Sequence, residues 1–233
     1  MLRPKDADDL TGAINPVERG ASLKEQAYKQ VKSLLLRGKL PDGAVASVPF
    51  VAKSLGISRT PVREAFLDLE KDGLIKILPK KGAVTLLISP QKKREIFLIR
   101  DALEGIVVTE LAGSITKAQI ADLEGIFERH KRTPGGEAGW DEFIRIDREF
   151  HLTMASFAGL EKIRDVLANI RDLMEMIGRE ALSSHGRREK IFKEHEKILG
   201  ALERKDKRAA CEAMRSHLME TERSLQAKEK ARD

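Results

Sequence analysis

The chain has 233 residues, of which 41% are hydrophobic and 34% are charged, and its formal net charge is +6. This length suffices for two modest domains, each with its own core. No apolar run approaches the roughly 20 residues that cross a bilayer, which excludes a membrane-spanning protein. Residues 1–20 lack the apolar core of a signal peptide, so we expect a disordered tail there and a cytoplasmic location.

The basic excess lies in the first third of the chain. Residues 1–86 have a net charge of +5, whereas residues 87–233 have a net charge of +1. A local excess of positive charge indicates contact with a polyanion such as nucleic acid. Many solvated surfaces carry a similar excess, so charge alone leaves both interpretations open.

The segment 21–88 predicts three helices followed by a β-hairpin. Capping residues and helix-ending glycines mark the helices, and alternating apolar residues around a glycine turn mark the strands. The predicted helices begin at Ser22, at about residue 48 and at Thr60, and the predicted strands span 74–78 and 83–87. Three helices followed by a small β-hairpin wing are typical of a winged helix-turn-helix domain.

The third predicted helix carries the side chains expected to contact DNA. Those at or near its N-terminus are Ser58, Arg59, Thr60 and Arg63. The two arginines are four residues apart and project from one face, where each can pair with guanine in the major groove. Hydroxyls and helix-end amides at the same end bind phosphates. The opposite, buried face is predicted to consist of Val62, Phe66, Leu67 and Leu69.

The turn of the predicted hairpin is also basic. Lys80 and Lys81 directly precede Gly82. A basic wing tip can lie against the phosphate backbone or enter the minor groove. The alternative for these lysines, and for the helix arginines, is an ordinary surface charge, and the residue pattern alone does not decide between the two.

Residues 89–229 contain no further strand pattern and predict an antiparallel bundle of about six helices, which makes the whole chain mostly α. Ser89 with Pro90 provides a cap at its start, and Thr116 with Gln119 forms a capping box. Short connections favour antiparallel neighbours. The predicted helices span about 90–112, 116–131, 140–158, 160–182, 187–203 and 206–229.

Four side chains of this bundle have types and spacings that suit a metal site. Asp147 and His151 are four residues apart on the apolar face of one predicted helix. His195 and His217 each lie 11 residues from Asp206, at a predicted turn, and would stand side by side in an antiparallel hairpin. One carboxylate and three imidazoles suit a divalent ion such as zinc, with nickel or manganese as alternatives. Separate surface or hydrogen-bonded core residues remain the competing interpretation.

Three further polar residues need an explanation. Arg100 lies on the inward stripe of the first bundle helix, and a buried guanidinium needs an anion. That anion is either an acidic ligand or Glu104, four residues later. The two remaining histidines, His130 and His185, match no site, and we predict that they face solvent or lie in loops.

The N-terminal segment resembles a known family. Residues 23–85, which contain GISRTPVREAF and DGLIKILPKKGAV, resemble the DNA-binding domain of the GntR family of regulators. The resemblance implies that Arg59, Thr60 and Arg63 are recognition-helix contacts and that Gly82 is the wing tip. The family usually has an arginine and a glutamate where this chain has Val45 and Val48, so the operator sequence cannot be transferred from relatives.

The C-terminal segment, about 90–225, resembles the metal-binding version of the FCD domain, the effector domain of the FadR-like subfamily. The resemblance rests on Asp147, on the pairs FH at 150–151 and EH at 194–195, on His217, and on the RxxxE pattern that begins at Arg100. It implies that the aspartate and three histidines bind a metal ion. It also implies that the arginine faces a pocket for a small carboxylate effector.

These observations together predict a homodimeric transcriptional regulator that binds a palindromic operator in double-stranded DNA. A small carboxylate metabolite at the metal site of the effector-binding and dimerisation domain, residues 89–229, would control operator affinity. One alternative is a constitutive DNA-binding protein with a structural metal. Another is a metal-dependent hydrolase, which needs a general base near the metal. Glu149 points to the other side of its helix from Asp147, so we predict that the chain is not an enzyme.

Overall fold

The computed structural model describes residues 22–36, 45–78, 82–85, 88–182 and 186–230, which leaves the predicted tail, residues 1–20, outside the described part. The chain divides into two compact units, with the boundary between Ile88 and Ser89. Helices dominate both units, and the N-terminal unit also contains a small sheet. The predicted fold class, a winged helix-turn-helix followed by a helical bundle, is confirmed.

The N-terminal unit has the predicted element order, with one added strand. Its elements are α1 (Leu23–Leu36), β1 (Val45–Ala46), α2 (Val48–Leu55), α3 (Arg59–Lys71), β2 (Ile75–Leu78) and β3 (Gly82–Thr85). The Ser47 side chain caps α2 by accepting a hydrogen bond from the Phe50 amide, and Gly56 ends α2 in a left-handed conformation. Helix α3 begins one residue earlier than predicted, with Ser58 as its N-cap.

Helix α3 packs on α1 through one apolar stripe. Val62, Phe66 and Leu69 are almost fully buried, as predicted. The prediction for Leu67 was wrong, because its side chain is 54% exposed. Successive helical residues are rotated by roughly 100°, and the stripe formed by positions 62, 66 and 69 leaves no room for position 67 on the same face. The Tyr28 hydroxyl of α1 also donates a hydrogen bond to Asp72 at 2.5 Å, just after α3.

The sheet has three antiparallel strands in the order β1-β3-β2. Leu78 pairs with Gly82 across the hairpin, and Val45 of β1 pairs with Val84 of β3. Strand β1 was not predicted, because two residues are too few to show an alternating pattern. The predicted wing lysines, Lys80 and Lys81, and the predicted end of the second strand, residues 86–87, lie outside the described residues.

The C-terminal unit contains six helices in its described part, and their bounds agree with the predicted ones to within two residues. They are α4 (Pro90–Ser114), α5 (Lys117–Lys131), α6 (Trp140–Phe157), α7 (Glu161–Leu182), α8 (Arg187–Glu203) and α9 (Lys207–Lys230). A short 3-10 turn, Glu137–Gly139, precedes α6. Both bonds of the predicted capping box between Thr116 and Gln119 are present at the start of α5.

The helices are arranged so that polar side chains from several of them meet inside the bundle. Helix α9 folds back along α8 and also packs along α4, while α6 packs against α5 and α7. Asp206 begins α9 by accepting a hydrogen bond from the Ala209 amide at 2.9 Å. None of the helices in the described ranges is both long and apolar enough to span a bilayer.

Candidate metal centre and DNA-binding helix

The four predicted metal ligands come together in the C-terminal unit. Asp147 and His151 lie on α6, His195 on α8 and His217 on α9, and each offers a ligand atom within 4.8 Å of the others. One carboxylate oxygen of Asp147 is 3.4 Å from Nε2 of His195 and 3.9 Å from Nε2 of His151. Ligand atoms around a tetrahedral zinc ion lie roughly 3.3 Å apart, so small side-chain shifts would enclose one ion.

Helix geometry explains this convergence. Asp147 and His151 are one turn apart on the buried side of α6. His195 and His217 lie at equal distances from Asp206, where the chain turns from α8 into α9, and their ring centroids are 4.9 Å apart. The symmetric spacing about the turn therefore agrees with the structure.

Two of the three imidazoles are each oriented by a carboxylate, one of them buried and the other partly buried. Nδ1 of His151 is hydrogen bonded to Glu104, and Nδ1 of His217 lies 2.8 Å from Glu194. The contact to Glu104 leaves Nε2 of His151 on the side of the Asp147 carboxylate, and the contact to Glu194 leaves Nε2 of His217 free to bind a metal ion. Metal-binding histidines commonly use their second nitrogen in this way, and such contacts fix the ring orientation.

Several ring nitrogens at the centre lack a hydrogen-bond partner. Among the described residues, Nε2 of His151 and both nitrogens of His195 are buried without one. A buried polar atom without a partner costs free energy, and each case needs a specific explanation. A bound divalent ion would satisfy the Nε2 atoms, so the donor set fits the metal that the sequence predicted.

The ionisation states also suit metal binding. Burial lowers the pKa of His195 and of His217 well below the usual value, and burial also lowers the pKa of His151. The three imidazoles are therefore neutral, as metal ligands must be. Burial alone would raise the pKa of Asp147, but the positive charge of nearby Arg171 holds it well below its usual range. The aspartate is thus ionised.

Arg171 on α7 was not predicted, yet it contacts two acidic side chains of the centre. It is 4% exposed and donates hydrogen bonds to Asp147 at 2.6 Å and to Glu104 at 3.4 Å. The signal was present in the sequence, because Arg171 lies on the same helical stripe as buried Leu167 and Met174. A charged residue on an apolar stripe indicated a functional position for Arg100, and the same argument applied to Arg171.

Arg100 has the intramolecular partner that the sequence left as an alternative. It is 2% exposed, and its Nε donates to Glu104 at 2.7 Å. Burial alone would raise the pKa of Glu104, but Arg100, His151 and Arg171 hold it well below its usual range. Glu104 thus joins two guanidinium groups and one imidazole around the centre.

A third buried arginine supports His217 through Glu194. Arg187, at the start of α8, donates to both carboxylate oxygens of Glu194 at 2.6 and 2.9 Å and to the Thr221 hydroxyl at 2.7 Å. Burial raises the pKa of Glu194, although Arg187 opposes that effect. The EH pair at 194–195 was among the predicted features, whereas the arginine that binds its glutamate was not predicted.

A cavity of about 530 Å³, measured with its opening to solvent, adjoins the centre. Its polar wall includes Arg100, Asp147, Arg171 and His217, while its apolar wall includes Phe143 and Met174. Arg148 also lines the cavity, so an acidic small molecule there would lie beside three guanidinium groups and beside two of the four candidate metal ligands.

The prediction for His130 was wrong. This residue on α5 is fully buried, and its ring centroid is 4.0 Å from that of Phe143 and 5.5 Å from that of His195. It continues the stripe of Leu123 and Phe127 on α5, a pattern that predicts burial. Burial lowers the pKa of His130 to about 4. His185 lies outside the described residues.

The residues predicted to contact DNA are accessible where the structure describes them. Ser58, Arg59, Thr60 and Arg63 are all exposed at the N-terminal end of α3. Gly82 begins β3 with a φ of 115°, a conformation that glycine tolerates better than other residues. Their contacts with DNA remain predictions.

Glu149, considered above as a general base, is directed away from the centre. It forms ion pairs with Arg129 on α5 and with Arg145 on its own helix. Its position does not support hydrolysis at the metal centre.

Comparison with known proteins identifies both units. The model for "Bacterial regulatory proteins, gntR family" matches residues 23–84, and the FCD domain model matches residues 95–220. The chain is 27% identical over 212 residues to the HTH-type transcriptional repressor RspR of Escherichia coli (strain K12), covering 91% of each protein. It is 28% identical over 170 residues to the gluconate operon transcriptional repressor of Bacillus subtilis (strain 168), covering 73% of this chain and 69% of the relative.

The fold is also similar to solved structures. A GntR regulator from Rhodococcus sp. RHA1 superimposes with a TM-score of 0.76 at 18% identity, covering 89% of this chain and 99% of the other. This similarity concerns the fold, and the two family matches show that the chain belongs to the GntR family of DNA-binding transcriptional regulators, which are not enzymes, and that it carries an FCD domain.

Proposed function

We propose that the protein is a cytoplasmic repressor that binds a palindromic operator as a homodimer and responds to a small carboxylate bound at a divalent metal ion. The observation that carries this proposal is the meeting of Asp147 with three buried imidazoles beside a cavity lined by Arg100 and Arg171. Repression is favoured because two relatives reported above are repressors.

DNA binding is assigned to α3 and the wing. Arg59 and Arg63 are proposed to pair with base edges in the major groove, while Ser58 and Thr60 bind phosphates. The exposure of these four side chains supports this assignment. Gly82, with Lys80 and Lys81, is proposed to place the wing tip against the DNA backbone.

The metal ion would be held by Asp147, His151, His195 and His217. Zinc suits this donor set best, and nickel or manganese is an alternative. The bound ion would supply an electrophilic site for a ligand carboxylate. Glu104 and Glu194 orient two of the imidazoles through their Nδ1 atoms, and Arg171 anchors the aspartate.

The charges around the centre indicate the class of effector. Three buried arginines, at positions 100, 171 and 187, are balanced by three acidic side chains, at positions 104, 147 and 194. A divalent ion adds two positive charges to this neutral set. Because unbalanced buried charge is costly, a ligand with two carboxylates would restore neutrality. We therefore propose a dicarboxylate, with Arg100 as its protein contact.

The experiment compares zinc-loaded and metal-free protein at fixed salt on an operator selected from random DNA. Acetate, succinate and tricarballylate serve as probes with one, two and three carboxylates. We expect succinate to change the operator affinity of the zinc-loaded protein by roughly 5- to 150-fold, the usual range of allosteric coupling, and to leave the metal-free protein unaffected.

The same experiment tests the structural-metal alternative. If the metal is purely structural, chelation abolishes helical content and no acid alters the operator affinity of the loaded protein. That result would overturn the sensor proposal while leaving DNA binding in place.

A further inference from the structure

Helix α4 has an exposed apolar face on the side opposite its buried stripe. Leu98, Ile99 and Ile106 are 59%, 43% and 48% exposed, and exposed Ala102 lies between them. Large apolar side chains scattered singly need no explanation, but a contiguous patch on one helix indicates an interaction site.

The neighbouring helix extends this apolar face. Arg215 of α9 forms an ion pair with Asp101 of α4 at 3.2 Å, which fixes the two helices side by side at this level. Met219 lies one turn further along α9 and is 44% exposed. The patch therefore covers adjoining surfaces of two packed helices.

Two charges of opposite sign lie at equal distances from the centre of the face. Arg94 and Glu110 are each eight residues from Ala102, and both are exposed. Neither has an ion-pair partner among the described residues, whereas Glu95 on the same helix is paired with Lys92. The face is thus self-complementary: a rotation by 180° about its centre exchanges the positive end with the negative end.

We propose that this face of α4 packs against the same face of a second copy of the chain, about a twofold axis at Ala102. The exposed residues follow each other at intervals of four and so form a ridge along the helix. Two helices whose ridges of this kind interdigitate cross at about −50°, with 8–10 Å between their axes. Leu98 then contacts Ile106 of the second copy, and Arg94 lies beside Glu110 of the second copy. The inference rests on the proposed homodimer and specifies its surface.

A cysteine at the axis tests this arrangement directly. At 8–10 Å between axes, facing Cα atoms come within about 3.4–5.4 Å, a range whose upper part allows a disulfide. In a Cys211→Ser background, we expect Ala102→Cys to form a covalent dimer on mild oxidation. The matched control is Ala121→Cys, an exposed alanine on α5, which should stay uncrosslinked.

A charge in the apolar patch should separate the two copies. Ile106→Glu is expected to raise the dimer dissociation constant at least tenfold in sedimentation equilibrium, with unchanged far-UV circular dichroism and zinc stoichiometry. Val166→Glu is the matched control, because Val166 on α7 is equally exposed, at 47%, but lies outside the patch. It should leave the dimer intact.

The charges of Arg94 and Glu110 provide a further test, whose result differs from that of a variant that is only unstable. Arg94→Glu places like charges together at both ends of a twofold interface and should weaken the dimer about tenfold. Adding Glu110→Arg restores opposite charges and should recover the affinity of the unmodified protein.

The outcomes separate this inference from the proposed function. A wild-type dimer in which Ala102→Cys does not crosslink and Ile106→Glu has no effect overturns the α4 interface but leaves the homodimer standing. A wild-type chain that is monomeric at micromolar concentration overturns both. Failure of the double charge swap to recover dimerisation contradicts the antiparallel pairing.

Discussion

The N-terminal end of α3 and the candidate metal centre place functional side chains in opposite physical situations. Ser58, Arg59, Thr60 and Arg63 are close in sequence and exposed to solvent. The four candidate metal ligands come from three helices, and their surroundings involve two more, α4 and α7. Exposed side chains on one helix end can change without affecting the fold. Buried charged groups that neutralise one another cannot be changed in this way, because removing one of them leaves its partner's charge buried without compensation.

The largest expected effect lies in the buried network. Glu104→Gln removes the negative charge that Arg100 and Arg171 share, so we expect the free energy of unfolding of the metal-free protein to fall by about 3–5 kcal/mol. Urea unfolding followed by circular dichroism measures it. The matched control, Glu95→Gln, lies on the same helix in a solvent-exposed ion pair and should change stability by less than about 1 kcal/mol. Equal effects in the two variants would contradict the difference drawn between buried and exposed charges.

The second effect is a dependence of the free energy of unfolding on pH that is caused by His130. Its folded-state pKa is about 4, below the unfolded value near 6.5. Between these values the unfolded chain binds more protons, so the stability from neutral His130 is present above pH 6.5 and is lost as the pH falls toward 4. The loss amounts to about 3 kcal/mol. Urea unfolding of metal-free protein across this range should show a flatter pH profile for His130→Phe than for the unmodified chain, and identical profiles would contradict the buried imidazole.

The third effect separates metal binding from DNA binding. His151→Ala should weaken zinc binding by more than about 100-fold, since loss of an orienting contact alone costs 10- to 100-fold. Mass spectrometry measures the zinc content, and nonspecific DNA affinity is measured on the same samples. The DNA affinity should stay unchanged. His130→Phe is the control, a buried histidine outside the ligand set that should retain zinc. Unaltered zinc stoichiometry in His151→Ala would exclude it as a ligand.

The smallest energetic effect belongs to the exposed helix end, although it is the most specific for function. Arg59→Ala should cost about 1–3 kcal/mol of operator affinity and leave the unfolding free energy unchanged. Fluorescence anisotropy on the selected operator measures the affinity. Arg223→Ala on α9, another exposed arginine, should alter neither quantity. A loss of stability in Arg59→Ala would show that the residue supports the fold.

Local sequence signals predicted the elements well, because capping residues and glycines act within a few positions. The turn at Asp206 allowed even the meeting of His195 and His217 to be inferred, since both lie on one hairpin. The contact of Arg171 with Glu104 could not be inferred in this way. The two residues are 67 positions apart, and their contact depends on how α7 packs against α4. The error at His130 had another cause: the residue was assigned to solvent or a loop because it matched no site, although it continues the apolar stripe of Leu123 and Phe127.

The central claim is that one cation is held by the aspartate of α6 and by imidazoles from α6, α8 and α9. Anomalous diffraction at the zinc edge from crystals of zinc-loaded protein tests it most directly. We predict one peak per chain, about 2.0–2.2 Å from a carboxylate oxygen of Asp147 and from Nε2 of His151, His195 and His217. A stoichiometric zinc peak elsewhere in the chain would contradict the account.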